Sequence, residues 1–187
     1  MKKELRNHLL PLLIIFVLIS LIWFLTKVPT IEIILLFLGF LFGSFLLDSD
    51  HFIFWFFIKP NIEESRSVQT AFQEKDFKSI LNLFKSTHKT HHNLIFHHYF
   101  FQVILILISF FVFTSSTNTF TKSFLFALNL HLLIDEITDF YTDKKTLQKW
   151  LFAREHKQLS VESLKYYLLT FIILISFFAL LLLNSKP

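Results

Sequence analysis

The sequence predicts an all-α fold, an integral membrane helical bundle of about five transmembrane helices with short interfacial helices. Three observations carry this expectation. Of 187 residues, 53% are hydrophobic and 17% are charged, against about a quarter charged in ordinary soluble domains. The apolar residues are gathered into blocks of near-bilayer length. The chain holds 27 phenylalanines but two glycines and no cysteine. That composition excludes a disordered chain, a collagen-like fibre, a disulfide scaffold and a thiolate metal site. No linker or internal repeat divides the sequence, so residues 1–187 read as one domain.

A hydrocarbon core of about 30 Å needs roughly 20 helical residues. Residues 9–25 form the first span, interrupted by Pro11 and Ser20. The stretch Ile22-Trp23-Phe24-Leu25 offers no small-residue cleavage site, so this span reads as a retained anchor. Residues 31–47 form the second, with Glu32 near its outer end. Phe77, Ile80, Leu81 and Phe84 then recur at helical spacing among Lys75, Asp76, Lys78 and Lys85, the pattern of a helix lying on headgroups. Residues 94–113 form the third span. Residues 119–141 form the fourth, polar toward its end. Leu147, Trp150 and Leu151 lie among Lys144, Lys149 and Arg154, a second interfacial pattern. Residues 164–183 form the fifth span. Phe52 to Phe57, with Trp55, reads as a lipid-packing aromatic segment that also walls a hydrophobic approach.

The basic residues set the orientation. With the N-terminus inside, fifteen of the eighteen Lys and Arg fall on inner segments, and only Lys27, Lys122 and Lys186 fall outside. This is the positive-inside bias of a five-span protein with its N-terminus inside, on the cytoplasmic face, and its C-terminus outside. The net charge of +4 then needs no nucleic acid, and membrane lipid is the expected partner. Gly39 and Gly43 make a Gly-x-x-x-Gly pair that suits a helix of the same chain or of another, so it leaves the oligomeric state open.

On this topology the polar residues converge. Asp48, Asp50 and His51 lie at the inner end of span two, His88, His91, His92, His97 and His98 at the inner start of span three, and His131, Asp135 and Asp139 on the inner half of span four. Ionisable residues bordering or inside spans are costly and mark function by default. Imidazole and carboxylate are the ligand types for zinc, manganese or iron. His131 and Asp135 are four apart, so they share a helix face. His131 sits between Leu130 and Leu132, where a lone imidazole needs a hydrogen-bond partner. His8 and His156 read as ordinary interface residues. So do His97 and His98, because adjacent helical positions point apart.

The run Gly43-Ser44-Phe45-Leu46-Leu47-Asp48-Ser49-Asp50-His51 resembles the Gly-x-x-Leu-Pro-Asp-x-Asp-His signature of the membrane-bound metal-dependent hydrolases, also described as LexA-binding, inner-membrane-associated hydrolases. His88-Lys89-Thr90-His91-His92-Asn93 is similar to that family's second motif, and His131-Leu132-Leu133-Ile134-Asp135 to its third. Leu47 stands in place of proline, Lys89 in place of arginine, and the second motif is contracted. The likeness covers roughly residues 35–140. It implies a divalent metal, zinc or manganese first and iron as an option, held among Asp48, Asp50, His51, His88, His92, His131 and Asp135. Seven groups exceed one tetrahedral zinc, so either two ions share them or some orient the others. In this reading Asp48 takes the proton of the attacking water and Lys89 pairs with an anionic substrate such as a phosphoester. A lipid-linked ester is the other substrate class. Two rival readings stand beside it. His88-x-x-His91-His92 also matches the His-x-x-His-His box of membrane di-iron desaturases and hydroxylases. A non-enzymatic metal- or haem-binding protein is the other.

Overall fold

The computed structural model describes residues 2–87, 94–153 and 159–185. Their regular structure is helical: α1 (Lys2–Leu25), α2 (Thr30–Leu46), α3 (Ser49–Ile53), α4 (Glu63–Gln73), α5 (Phe77–Thr87), α6 (Tyr99–Ser115), α7 (Thr119–Thr142), α8 (Lys144–Leu151) and α9 (Val161–Leu183). Local chemistry sets several starts. Asn118 caps α7 by accepting from Thr121 N at 2.8 Å. Asp143 caps α8 by accepting from Lys145 N and Thr146 N, and Ser160 caps α9 through Ser163 N. Each cap satisfies an amide that the helix itself leaves open. Their charge partners are consistent, since hydrogen bonds from Thr146 hold the exposed Asp143 carboxyl below the ordinary aspartate range.

α7 is the central helix. It packs against α1, α2, α6 and α9 and is buried along most of its length. The α2–α7 pair is the most extensive, and two glycines explain why. A Cβ on Gly39 would lie 2.7 Å from the Phe120 carbonyl oxygen, and one on Gly43 would lie 2.5 Å from that of Phe124. The Gly-x-x-x-Gly pair is therefore used inside the chain, letting two backbones touch. Leu36 and Phe40 of α2, Phe126 and Leu132 of α7, and Phe171 and Phe178 of α9 fill the shared core.

Large apolar side chains also face outward. Leu13, Val17, Leu21 and Phe24 of α1, Leu107 and Phe111 of α6, and Ile173 and Leu180 of α9 are all exposed. Water-soluble monomers rarely present apolar surface on this scale. Among the described residues, two helical stretches are long and apolar enough to cross a membrane, Thr30–Ile58 and Val161–Leu183. Leu10–Leu25 and Tyr99–Ser115 are apolar but shorter.

Several expected boundaries and placements change. The second apolar helix does not stop at Leu47. It runs on through α3 and a π-helical turn, Phe54–Ile58, since Asp48 keeps a right-handed helical backbone. Within that extension Phe54 and Trp55 are buried, while Phe52 and Phe57 are exposed, so only half of the aromatic segment faces outward. The third helix begins at Tyr99, not at residue 94, because residues 94–98 form an irregular connector ending in His98 as an extended N-cap. α8 does not turn its apolar face to headgroups. Leu147, Trp150 and Leu151 are buried with Phe140, Leu164 and Leu168, and Trp150 Nε1 donates to Asp139 Oδ2 at 2.9 Å. α5 is split, with Ile80 buried beside Trp55 and Val68 and Phe77 and Leu81 exposed. α4 has too few apolar residues to have stood out in the sequence.

Candidate metal centre

α2 and α7 bring the first pair of groups together. His131 follows Gly43's contact partner Ala127 by one helical turn, so its ring meets the end of α2. His131 Nδ1 lies 2.8 Å from the Ser44 carbonyl oxygen. A carbonyl can only accept, so Nδ1 carries the hydrogen. Nε2 lies 3.6 Å from Asp135 Oδ2, one turn further along. Metal-bound histidines are oriented in this way, by a carbonyl at the other ring nitrogen.

The third contributor is the connector before α6. His97 Nδ1 lies 3.4 Å from Asp50 Oδ2, and its Nε2 lies 3.5 Å from Asp135 Oδ2. Asp50 Oδ2 also accepts from Phe96 N at 2.6 Å. Asp50, His97, His131 and Asp135 are all buried, Asp50 completely. Two buried carboxylates demand positive charge nearby, and the His97 ring lies between them. Burial disfavours its charge, but hydrogen bonds and charge from Asp135 and Asp50 outweigh that and raise its pKa to about 9. Asp50 Oδ1 is buried and has no hydrogen-bond partner among the described residues.

No family model, curated protein or solved structure matches this chain.

Of the residues singled out in the sequence, Asp50, His131 and Asp135 share one buried cluster. His51 is fully buried one residue away, its ring edge-on to Phe84 at 4.9 Å and near Trp55 at 6.2 Å. Asp48 is half-buried between α2 and α3. His88, Lys89, His91, His92 and His156 lie outside the described residues, as does the side chain of His8. Among the described residues, no group of three or more His, Asp or Glu side chains is arranged so that it could hold a metal ion.

His97 corrects the sequence reading. Helical spacing at residues 97 and 98 predicts an ordinary interface histidine there. In the connector that constraint disappears, and the two rings take separate tasks. His97 enters the carboxylate cluster, and His98 caps α6 by accepting from Phe100 N at 3.3 Å. Two further polar residues, Gln102 and Glu136, are buried; Gln102 sits inside an apolar run, the signal that marks His131, whereas Glu136 lies between Asp135 and Ile137-Thr138-Asp139 and carries no such signal.

Proposed function

We propose that this chain is a membrane-bound, metal-dependent hydrolase with five spans, an inner N-terminus and a His/Asp metal site at the cytoplasmic end of the bundle. The outward apolar faces of α1, α2, α6 and α9 support the membrane assignment. The fifteen-to-three distribution of basic residues supports the orientation. The observation carrying the metal assignment is the His131 ring. It shares one carboxylate oxygen with a second imidazole, since His131 Nε2 and His97 Nε2 lie 3.6 and 3.5 Å from Asp135 Oδ2.

The donor set fits a divalent ion. The separations of 3.5 and 3.6 Å from Asp135 Oδ2 to His97 Nε2 and His131 Nε2 exceed good hydrogen bonds. They are close to the roughly 3.4 Å between two ligand atoms on one zinc with bonds of about 2.0–2.1 Å. The orphaned Asp50 Oδ1 offers a further oxygen. His131, Asp135, His97 and Asp50 are the described residues that would hold the ion. His51, His88 and His92 are the further candidates from the family resemblance. When bound, a divalent ion supplies Lewis acidity and brings the pKa of water toward neutrality.

The chain's own residues supply the rest. Ser44 fixes the His131 tautomer, and the Phe96 amide fixes Asp50. Asp48, half-buried, is the proposed proton acceptor, and Lys89 the proposed partner of an anionic substrate such as a phosphoester. A site at the inner headgroup level of a bundle with outward apolar faces suits a substrate with an apolar tail, so a lipid phosphoester or lipid-linked ester is the proposed class. The test is hydrolysis of phosphoester and carboxylester lipids by the purified protein in lipid nanodiscs. Activity should be abolished by a chelator and restored by zinc or manganese. Hydrolysis that survives complete metal removal refutes the reading. Oxygen-dependent lipid modification with stoichiometric iron replaces it with the di-iron alternative.

A further inference from the structure

A second set of buried polar groups lies behind the carboxylate cluster and crosses three helices. Gln102 of α6, 1% exposed, donates its Nε2 to the His97 carbonyl at 3.2 Å. Its Oε1 is hydrogen-bonded to the Tyr167 hydroxyl of α9. The same hydroxyl lies 2.9 Å from Glu136 Oε1 of α7. Glu136 is fully buried, and its Oε2 has no hydrogen-bond partner among the described residues. The direction of the amide follows from chemistry. The His97 carbonyl can only accept, so Nε2 must face it, and Oε1 must then receive the Tyr167 proton.

The position of His97 makes this arrangement consequential. His97 precedes the cap of α6, so its carbonyl lies outside the helical hydrogen-bond ladder. Gln102 reaches back to take it. The backbone of His97 is thereby held from behind, while its ring reaches forward to Asp50 and Asp135. A buried amide and a buried carboxyl group are costly unless they are satisfied, here through the half-buried Tyr167 phenol.

We propose that Gln102, Tyr167 and Glu136 are positioning residues that hold the His97 connector so that its ring stays between Asp50 and Asp135. The purpose of that placement rests on the proposed metal site, but the placement itself does not. Through Tyr167 the position of α9 becomes part of the site, although α9 contributes no group to the cluster. A purely structural role is the competing explanation, and the α6–α7 seam provides its own control. Asn129 and Ser109 form another buried pair there, joined at 2.8 Å, with no link to His97.

The test compares Gln102→Met, Tyr167→Phe and Asn129→Leu in the purified full chain. Three quantities are read: the rate of His97 modification by diethyl pyrocarbonate, zinc affinity by chelator competition, and Tm. Gln102→Met and Tyr167→Phe should speed His97 modification about 3–10-fold, the factor one buried hydrogen bond gives. They should weaken zinc about 10–100-fold, as loss of an orienting partner does. Asn129→Leu should lower Tm and leave His97 reactivity and zinc affinity unchanged. Equal His97 reactivity in all three variants and the wild type overturns the proposal, as does an equal increase in all three. If Gln102→Met does not fold, Tyr167→Phe, which keeps the ring, decides alone. If the wild type binds no zinc, the metal reading fails, and the positioning role stands or falls on His97 reactivity.

Discussion

The contact between α2 and α7 sets the site, and Gly43→Ala perturbs it by one methyl group. A Cβ at Gly43 would lie 2.5 Å from the Phe124 carbonyl oxygen and 2.8 Å from Ala127 Cβ, where ordinary contact begins at 3.4 Å. Neither neighbour is a flexible side-chain end, so the helices must part locally by about 0.9 Å to restore normal contact. Ser44 is the next residue, and its carbonyl holds His131 at 2.8 Å. The same displacement carried along that vector gives about 3.7 Å, beyond a hydrogen bond. Overpacking costs about 1–3 kcal/mol, and a buried donor left unpaired costs about 1–3 kcal/mol more. Helix propensity returns about 1 kcal/mol for Gly→Ala. The net loss of about 1–5 kcal/mol corresponds to a Tm lower by roughly 2–20 °C. The assay is thermal unfolding in detergent beside Phe45→Ala, an exposed α2 control. A Gly43→Ala protein as stable as wild type, or more so, refutes the close α2–α7 contact, because propensity alone then accounts for the outcome.

Other expectations test other parts of the molecule. Lys75 has φ 57° in the turn between α4 and α5, so Lys75→Gly should relieve about 1 kcal/mol of left-handed strain, visible as a higher Tm, whereas Lys75→Ala should not. Leu164 is fully buried beneath α8 with Leu147 and Leu151, so Leu164→Ala should cost about 2–5 kcal/mol. An unchanged denaturation midpoint would mean that α8 does not pack there. The chain has no cysteine, so single cysteines report topology directly. Lys145→Cys should be protected from an impermeant maleimide in intact cells and Thr117→Cys labelled, and the reverse pattern overturns the orientation.

The helical class and most helix positions were legible because long apolar runs dominate the sequence. His131 and Asp135 were legible too, since helical spacing alone places them on one face. The rest depended on where regular structure ends. Leu94–His98 continues an apolar run in composition, and only its irregular backbone frees His97 to reach Asp50. The apolar face of α8 has the same periodicity whether it meets lipid or protein, so burial of Trp150 and Leu151 required the tertiary fold. Asp48 and Asp50 look equivalent in sequence. The helical turn at Ser49 buries one completely and leaves the other half-buried.

Metal content measured on the purified chain tests the proposed site most directly. Elemental analysis after purification without chelators should find about one to two zinc or manganese ions per chain, by the ligand set. The His131→Ala, Asp135→Ala double variant, confirmed folded by its Tm, should retain almost none. A folded wild type with no stoichiometric divalent metal, or a double variant that keeps its full complement, contradicts a metal centre built on His131 and Asp135.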